Sequence, residues 1–245
     1  MQAFKRLMQV IFLMGIVLVL GLGGSAEARD LKASLGHFPL LSESKDKGLL
    51  VDLIKAMNEL YTEGTITIDI YPSARSIDNV IKGSHDFHMP LLVNSYANKD
   101  ELPFAYSENI FDAVFALYTN KNNKEINPGN VGKFKIETDA ALTRHFGFPA
   151  RPSMSIEGSL KKVDMGRIDG YIFAMPETDM ILKQLNLNNI KRWNFRTIPA
   201  AIIVPKGQKG KEIESILSPL LRQLKENGTY QKIMAPVLNV QFKEW

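Results

Sequence analysis

The sequence predicts an α/β protein made of two similar halves, each with mixed, mostly parallel strands covered by helices. Three observations carry this. Apolar residues switch repeatedly between a period of two and a period near 3.6. The strand–helix alternation runs to about residue 92 and restarts near residue 113. Each run also contains a Gly-x-x-Asp between a helix and an apolar strand, at Gly83-Ser84-His85-Asp86 and Gly166-Arg167-Ile168-Asp169. In both, the glycine suits a left-handed helix end and the aspartate begins the strand.

The first run opens with a short strand, Leu31 to Gly36, and a loop, Gly36-His37-Phe38-Pro39. Leu50, Leu53, Ile54, Met57, Leu60 and Tyr61 follow helical spacing. Ile66, Ile68 and Ile70 alternate with Thr65, Thr67 and Asp69, the pattern of a half-buried strand. Ser73 reads as the cap of a helix carrying Ile77, Val80 and Ile81, which Gly83 stops. A strand from His85 to Leu92 completes β-α-β-α-β, the order of a mostly parallel sheet.

The second run begins with a strand at Ala113 to Tyr118 and a turn at Asn127-Pro128-Gly129-Asn130. A strand from Lys133 to Glu137 and a helix from Ala140 to Phe146 follow. Ile156, Leu160 and Val163 mark a helix that Gly166 ends before a strand at Asp169 to Phe173. Then come a helix from Glu177 to Leu187, a strand from Ile198 to Val204, and a helix carrying Ile213, Ile216, Leu217, Leu220, Leu221 and Leu224. Asn227-Gly228 breaks that helix, and a short terminal one follows. Asn227-Gly228-Thr229 fits a glycosylation sequon, but its place after Leu224 reads as a helix-ending turn.

Residues 1–28 read as a secretory leader. Lys5 and Arg6 are basic, Val10 to Leu22 is uncharged and apolar, and Ala26-Glu27-Ala28 is a small-residue cleavage sequence. The apolar run is short for a bilayer span, which needs roughly 20 residues, and an uncleaved anchor is the alternative reading. Gly21, Gly23 and Gly24 lie inside this leader with no strand before them, so they are no phosphate loop. Cleavage near Ala28 would remove Lys5, Arg6 and Glu27, taking the net charge from +4 to +3. An extracytoplasmic protein is expected.

Composition excludes several classes. With 45% hydrophobic and 23% charged residues the 245-residue chain is neither disordered nor fibrous, and two lobes of about a hundred residues each fit its length. The absence of Cys removes disulfides, thiol nucleophiles, Cys-based metal sites and a lipid-modified cysteine. Lys and Arg are scattered among nearly equal numbers of acids, which argues against nucleic-acid binding. His85 and His88, three apart on a strand, point to opposite faces, so no metal and no cofactor is expected. No G-x-S-x-G, H-E-x-x-H or Walker sequence occurs, and no catalytic residues are assigned.

Several segments, in order, carry a resemblance to a known family. They are Gly48-Leu49-Leu50-Val51-Asp52-Leu53, the paired Gly-x-x-Asp, Pro103-Phe104-Ala105-Tyr106-Ser107 and Ala200-Ala201-Ile202-Ile203-Val204-Pro205-Lys206-Gly207. The last is Leu224-Lys225-Glu226-Asn227-Gly228-Thr229-Tyr230-Gln231-Lys232-Ile233. Together they resemble the extracellular solute-binding proteins of family 3, the amino-acid-type periplasmic receptors of ABC importers. The resemblance covers essentially all of the chain after the leader.

That resemblance implies a two-lobed, periplasmic-binding-protein-like (type II) fold with a hinge. One lobe would be residues 29–108 and 201–245, the other 113–196, with crossings at 109–112 and 196–200. A cleft between them would close on a ligand. Its loops would be Leu35–Phe38, Ser73–Arg75, Leu91–Tyr96, Thr138–Ala141 and Phe173–Glu177. The ligand-binding candidates are therefore Phe38, Arg75, Asn94, Tyr96, Thr138, Asp139, Phe173 and Glu177. Arg75 is the expected polar anchor at a strand–helix junction. Phe38 and Phe173 would be cleft walls, Thr138 and Asp139 suit a helix cap, and Glu177 suits a first helical turn.

Two departures bear on the ligand. Amino-acid receptors of the family carry an Arg before the "F-S" strand, but none lies between Val93 and Ser107 here. The family's ammonium-holding Asp corresponds to Ala174. A standard α-amino acid would lose both anchors. The expected protein is thus a monomeric, non-enzymatic receptor for a small polar or anionic molecule, serving a membrane transporter permease or a sensor. The alternatives are a cyclohexadienyl-dehydratase-like enzyme on the same scaffold, or a protein-interaction module whose cleft its own side chains fill.

Overall fold

A computed structural model describes residues 29–94, 97–123, 125–143, 145–240 and 242. The leader read from residues 1–28 and the candidate Tyr96 lie outside these. Among the described residues, eight strands and six helices follow the expected alternation. They run β1 (Leu31–Gly36), α1 (Leu49–Leu60), β2 (Ile66–Tyr71), α2 (Ser73–Ile81), β3 (Phe87–Leu92), β4 (Phe104–Asn120) and β5 (Ile136–Asp139). Then come β6 (Arg151–Ser153), α3 (Ile156–Asp164), β7 (Gly170–Ala174), α4 (Met175–Leu185), β8 (Ile190–Pro205), α5 (Gln208–Glu226) and α6 (Thr229–Leu238). No helix among the described residues is long and apolar enough to cross a membrane.

The strands form one sheet in the order β2-β1-β3-β8-β4-β7-β5-β6. β1 pairs in parallel with β2 and β3, and β5 pairs in parallel with β6 and β7. The pairings β3–β8, β8–β4 and β4–β7 are antiparallel. The expected two sheets are therefore joined through β4 and β8, which are far longer than the sequence pattern indicated. Their ladder runs from Phe104 opposite Pro205 to Asn120 opposite Ile190. Its register slips between Tyr106 and Asn109, again between Asn109 and Phe111, and between Phe115 and Ala116. Such irregularities bend a ribbon and increase its twist.

Helices cover the sheet with the apolar stripes read from their spacing. Leu50, Leu53, Ile54 and Met57 of α1 are buried, as are Ile213, Leu217, Leu221 and Leu224 of α5 and Met234 and Val237 of α6. α3 is tied to β5 by the buried Glu137, which accepts hydrogen bonds from Ser159 Oγ at 2.6 Å and Lys162 Nζ at 2.9 Å. Gly48 precedes α1 with φ 138° and ψ 152°, a region open essentially to glycine alone. A Cβ there would lie 2.3 Å from the Leu41 carbonyl oxygen, so this residue fixes how the loop after β1 enters α1.

The paired Gly-x-x-Asp has a structural role. Gly83 and Gly166 sit at φ 75° and 66° just past α2 and α3. Asp86 then accepts the Lys32 N–H beside β1 at 2.9 Å, and Asp169 accepts the Lys135 N–H beside β5 at 2.7 Å. Backbone N–H groups of the same aspartates donate to the carbonyls of Lys32 and Lys135. Each motif ends a helix and clamps the start of a neighbouring strand, once in each half.

Three expectations are corrected. Ser73 is the first residue of α2 rather than its cap, since Pro72 holds that position and no side chain caps the helix. The helix expected from Ala140 to Phe146 is only a 3₁₀ turn, Ala140–Leu142. Phe146 and Phe148 are drawn into an aromatic cluster, stacked with centroids 6.0 Å apart and both edge-on to Phe195. Finally, β3 begins at Phe87, because His85 and Asp86 are used in the turn.

The glycine argument is testable. A Cβ on Gly166 meets nothing within 4 Å, so Gly166→Ala should cost only the left-handed backbone penalty, about 1 kcal/mol, and Gly166→Asn less. Urea denaturation midpoints at constant slope would check this order.

Candidate functional site

The parallel strands β1, β5 and β7 all end toward one region, where antiparallel β8 and β4 reverse the strand order. A crevice beyond the carboxyl ends of strands at such a reversal is where open α/β sheets bind ligands. A cavity of about 80 Å³ lies there. Phe38 and Leu41 enter it from the loop after β1, Ser73 from the start of α2, and Pro90 and Leu92 from β3. The crossing strands contribute Phe111 to Phe115 and Ala200. Asp139, Ala141 and Leu142 come from the end of β5 and the turn beyond, and Phe173, Ala174, Pro176 and Glu177 from the β7–α4 junction. Val237 of α6 closes one side. Among the described residues, no side chain fills this space.

Local sequence explains these positions. Gly36 has no Cβ, and one built there would lie 2.6 Å from Phe38 Cε2, so the glycine lets the Phe38 ring fold back over the end of β1. Phe173 is nearly buried, stacked on Tyr171 at 6.1 Å and edge-on to Phe115 at 6.2 Å. Asp139 turns its Oδ1 to the Ala141 N–H at 2.9 Å, capping the 3₁₀ turn as its type predicts.

Glu177 is the unusual member. It is 4% exposed, and its Oε2 has no hydrogen-bond partner. A first-turn carboxylate would ordinarily be stabilised by the helix N-terminus. Here burial outweighs that, pushing the carboxyl up from an ordinary 4.5 to about 7, opposed only by a bond from its own backbone. The lining carries three carboxylates, Asp112, Asp139 and Glu177, and among the described residues no Lys, Arg or His.

The sequence-named residues are distributed unevenly. Phe38, Asp139, Phe173 and Glu177 come together in the cavity wall. Arg75 does not join them: it is exposed, with its guanidinium carbon 5.0 Å from the centroid of the Tyr71 ring. Ser73 faces the cavity, and two residues on at about 100° each carry Arg75 to the far side of α2. Thr138 is buried on the other face of β5, donating from Oγ1 to the Ile172 carbonyl at 2.8 Å. Asn94 is not in the lining, and its N–H donates to the Tyr106 hydroxyl at 3.3 Å. Phe111, Asp112 and Phe115 were missed as site residues. The signal that could have found them is an Asp flanked by Phe at the expected crossing.

His85 and His88 are used elsewhere. His85 Nε2 lies 3.2 Å from Asp69, and the ring stands edge-on to Tyr71. His88 is fully buried, 2.7 Å from Ser76 Oγ, and burial lowers it to about 4. Among the described residues no group of three or more His, Cys, Asp or Glu is arranged to hold a metal ion.

No protein-family model matches the chain, and no curated protein sequence matches it. Solved structures do. A histidine kinase sensor domain with similarity to periplasmic binding proteins superposes with a TM-score of 0.70 at 15% identity, over 89% of this chain and 99% of that one. A substrate-binding protein of an ABC uptake transporter from Streptococcus pneumoniae, with bound histidine, gives 0.68 at 15% identity, over 86% and 93%. An ancestral amino-acid-binding protein described as a precursor of cyclohexadienyl dehydratase gives 0.64 at 18% identity, over 85% and 95%. These likenesses define the fold as the two-lobed α/β fold of periplasmic binding proteins.

Glu177 makes a pH-dependent prediction. Its carboxyl is neutral in folded and unfolded chains below about pH 4.5 and ionised in both above about pH 7. The stability conferred by burying the neutral form is complete below 4.5 and lost as pH rises through 7, by about 3 kcal/mol. Glu177→Gln should match the wild type near pH 4 and exceed it by that amount near pH 8 in urea denaturation. A gap that does not change with pH would contradict this.

Proposed function

We propose that this chain is an extracytoplasmic solute receptor that traps one small molecule between two lobes. The observation that carries this is the cavity itself. It is lined by strand ends and helix starts from both halves, and one of its lining residues, Glu177, has a buried carboxyl oxygen with no hydrogen-bond partner. On this reading the lobes are residues 29–108 with 201–245, and 113–196. They are joined by crossings at 109–112 and 196–200, beside the register slips of β4 against β8. Flexing there would open and close the cavity, with Phe38 on one side and Phe173 on the other. The protein acts in the periplasm as a monomer after its leader is removed near Ala28. It presents its ligand to a transporter permease or to a sensor. Structures of both kinds share its fold. The ligand is not a standard α-amino acid, because neither the expected Arg nor an Asp at position 174 is present to grip the two ends of one.

A cyclohexadienyl-dehydratase-like activity is the second reading, and Glu177 is the observation that favours it. A buried carboxyl held near neutrality can donate a proton in a cleft. Against it, the paired carboxylates of prephenate would meet Asp112 and Asp139 with no cation among the described lining residues.

Thermal denaturation with a broad metabolite panel tests the receptor reading. A ligand that binds only the folded state at a hundred times its Kd stabilises by about 2.7 kcal/mol and raises Tm accordingly. Phe173→Ala should abolish most of that rise. Turnover of prephenate or arogenate, lost in Glu177→Gln, would replace the receptor with the enzyme.

A further inference from the structure

We propose that the cleft selects a small organic cation, an alkylammonium-type solute lacking a carboxylate, with Glu177 as its counter-ion. The inference rests on the receptor reading and names the ligand class of that same site. Three features converge on it. The first is charge: Asp112, Asp139 and Glu177 line the cavity, with no Lys or Arg among the described lining residues. An anion or the carboxylate end of a zwitterion would meet like charge, whereas a cation would meet opposite charge in a poorly hydrated space.

The second feature is Glu177 itself. Asp139 already spends an oxygen on the Ala141 N–H. Glu177 is buried and its Oε2 has no partner, an arrangement that costs the protein stability unless something supplies the missing interaction. An ammonium group would supply it.

The third feature is the wall. Phe38, Phe111 and Phe173 present carbon rather than oxygen. A metal ion or a strongly hydrated cation needs several oxygen ligands, but alkyl groups on nitrogen suit apolar and aromatic surfaces, whose faces attract cations.

Protonation gives an internal check. Among the described residues, the titratable groups that share the cavity wall with Glu177 are Asp112 of β4 and Asp139 at the end of β5, with Tyr171 of β7 nearby, and none of them is cationic. A bound cation favours the ionised carboxyl, which burial holds near neutrality in the empty cleft. Cation binding should therefore release a proton near pH 6.5 and tighten as pH rises toward 8. Anion binding would take up a proton and weaken.

Isothermal titration of the purified protein with tetramethylammonium chloride, sodium isobutyrate and glycine betaine tests the assignment. The expected result is saturable binding of tetramethylammonium, tighter at pH 8 than at pH 6, and at least about tenfold weaker in Glu177→Gln. That variant keeps the side-chain volume, and thermal denaturation would verify its folding. Binding of isobutyrate or betaine without tetramethylammonium would overturn the cation assignment while leaving the receptor reading intact. Tetramethylammonium affinity unchanged in Glu177→Gln would also overturn it. No binding from these three or from any metabolite would overturn both.

Discussion

The long antiparallel pairing of β4 with β8 is the constraint on which the rest of the molecule depends. Each strand belongs to both halves of the sheet. β8 pairs with β3 at its end and β4 pairs with β7 at its own, so the two parallel sets are fastened to opposite edges of one ribbon. Backbone bonds must continue through the crossing, because unpaired N–H and C=O groups buried there would be costly. The register slips around Asn109 and Phe111 are where the ribbon accommodates that demand. Since the crossing also supplies Phe111, Asp112, Phe115 and Ala200 to the cavity wall, any change in its bend changes the shape of the site.

Around that ribbon the same solution is used twice. Gly83 with Asp86, and Gly166 with Asp169, each end a helix and pin the first strand of a parallel set. The parallel strands then deliver their carboxyl ends, and the loops beyond them, to a common region. Chemistry at that region follows from a conflict between burial and charge. The β7–α4 junction carries Glu177 inward among Phe and Leu side chains, where the gain from a helix N-terminus does not offset lost hydration. The buried Glu137, by contrast, is paired with Ser159 and Lys162.

Much of the fold was legible because most elements carry their own period. Ile66, Ile68 and Ile70 announce β2, and the stripe on α1 is unbroken from Leu50 to Met57. The length of β4 and β8 was not legible. Ser107 to Asn109 and Lys191 to Asn194 interrupt the apolar pattern, and their pairing is decided by partners far away in sequence. β6 is three residues long with a proline at its centre, too little to read. The 3₁₀ turn after β5 replaced a helix because Phe146 and Phe148 pack with Phe195, a contact about fifty residues away. Of the residues that the family resemblance implied, Phe38, Asp139, Phe173 and Glu177 lie in the cavity wall. Helical phase removed Arg75 from the wall, and strand alternation removed Thr138. That Glu177 is buried, and not a solvated first-turn acid, depends on packing that no local pattern records.

The central claim is that the space between the halves exists to hold a small molecule. Native mass spectrometry of protein purified without denaturation addresses it most directly. The account predicts an adduct of one defined mass, released on mild activation and missing from an Ala174→Trp variant that fills the cavity. A bare protein that takes up nothing from a metabolite extract, or an adduct that survives in the filled variant, would contradict it.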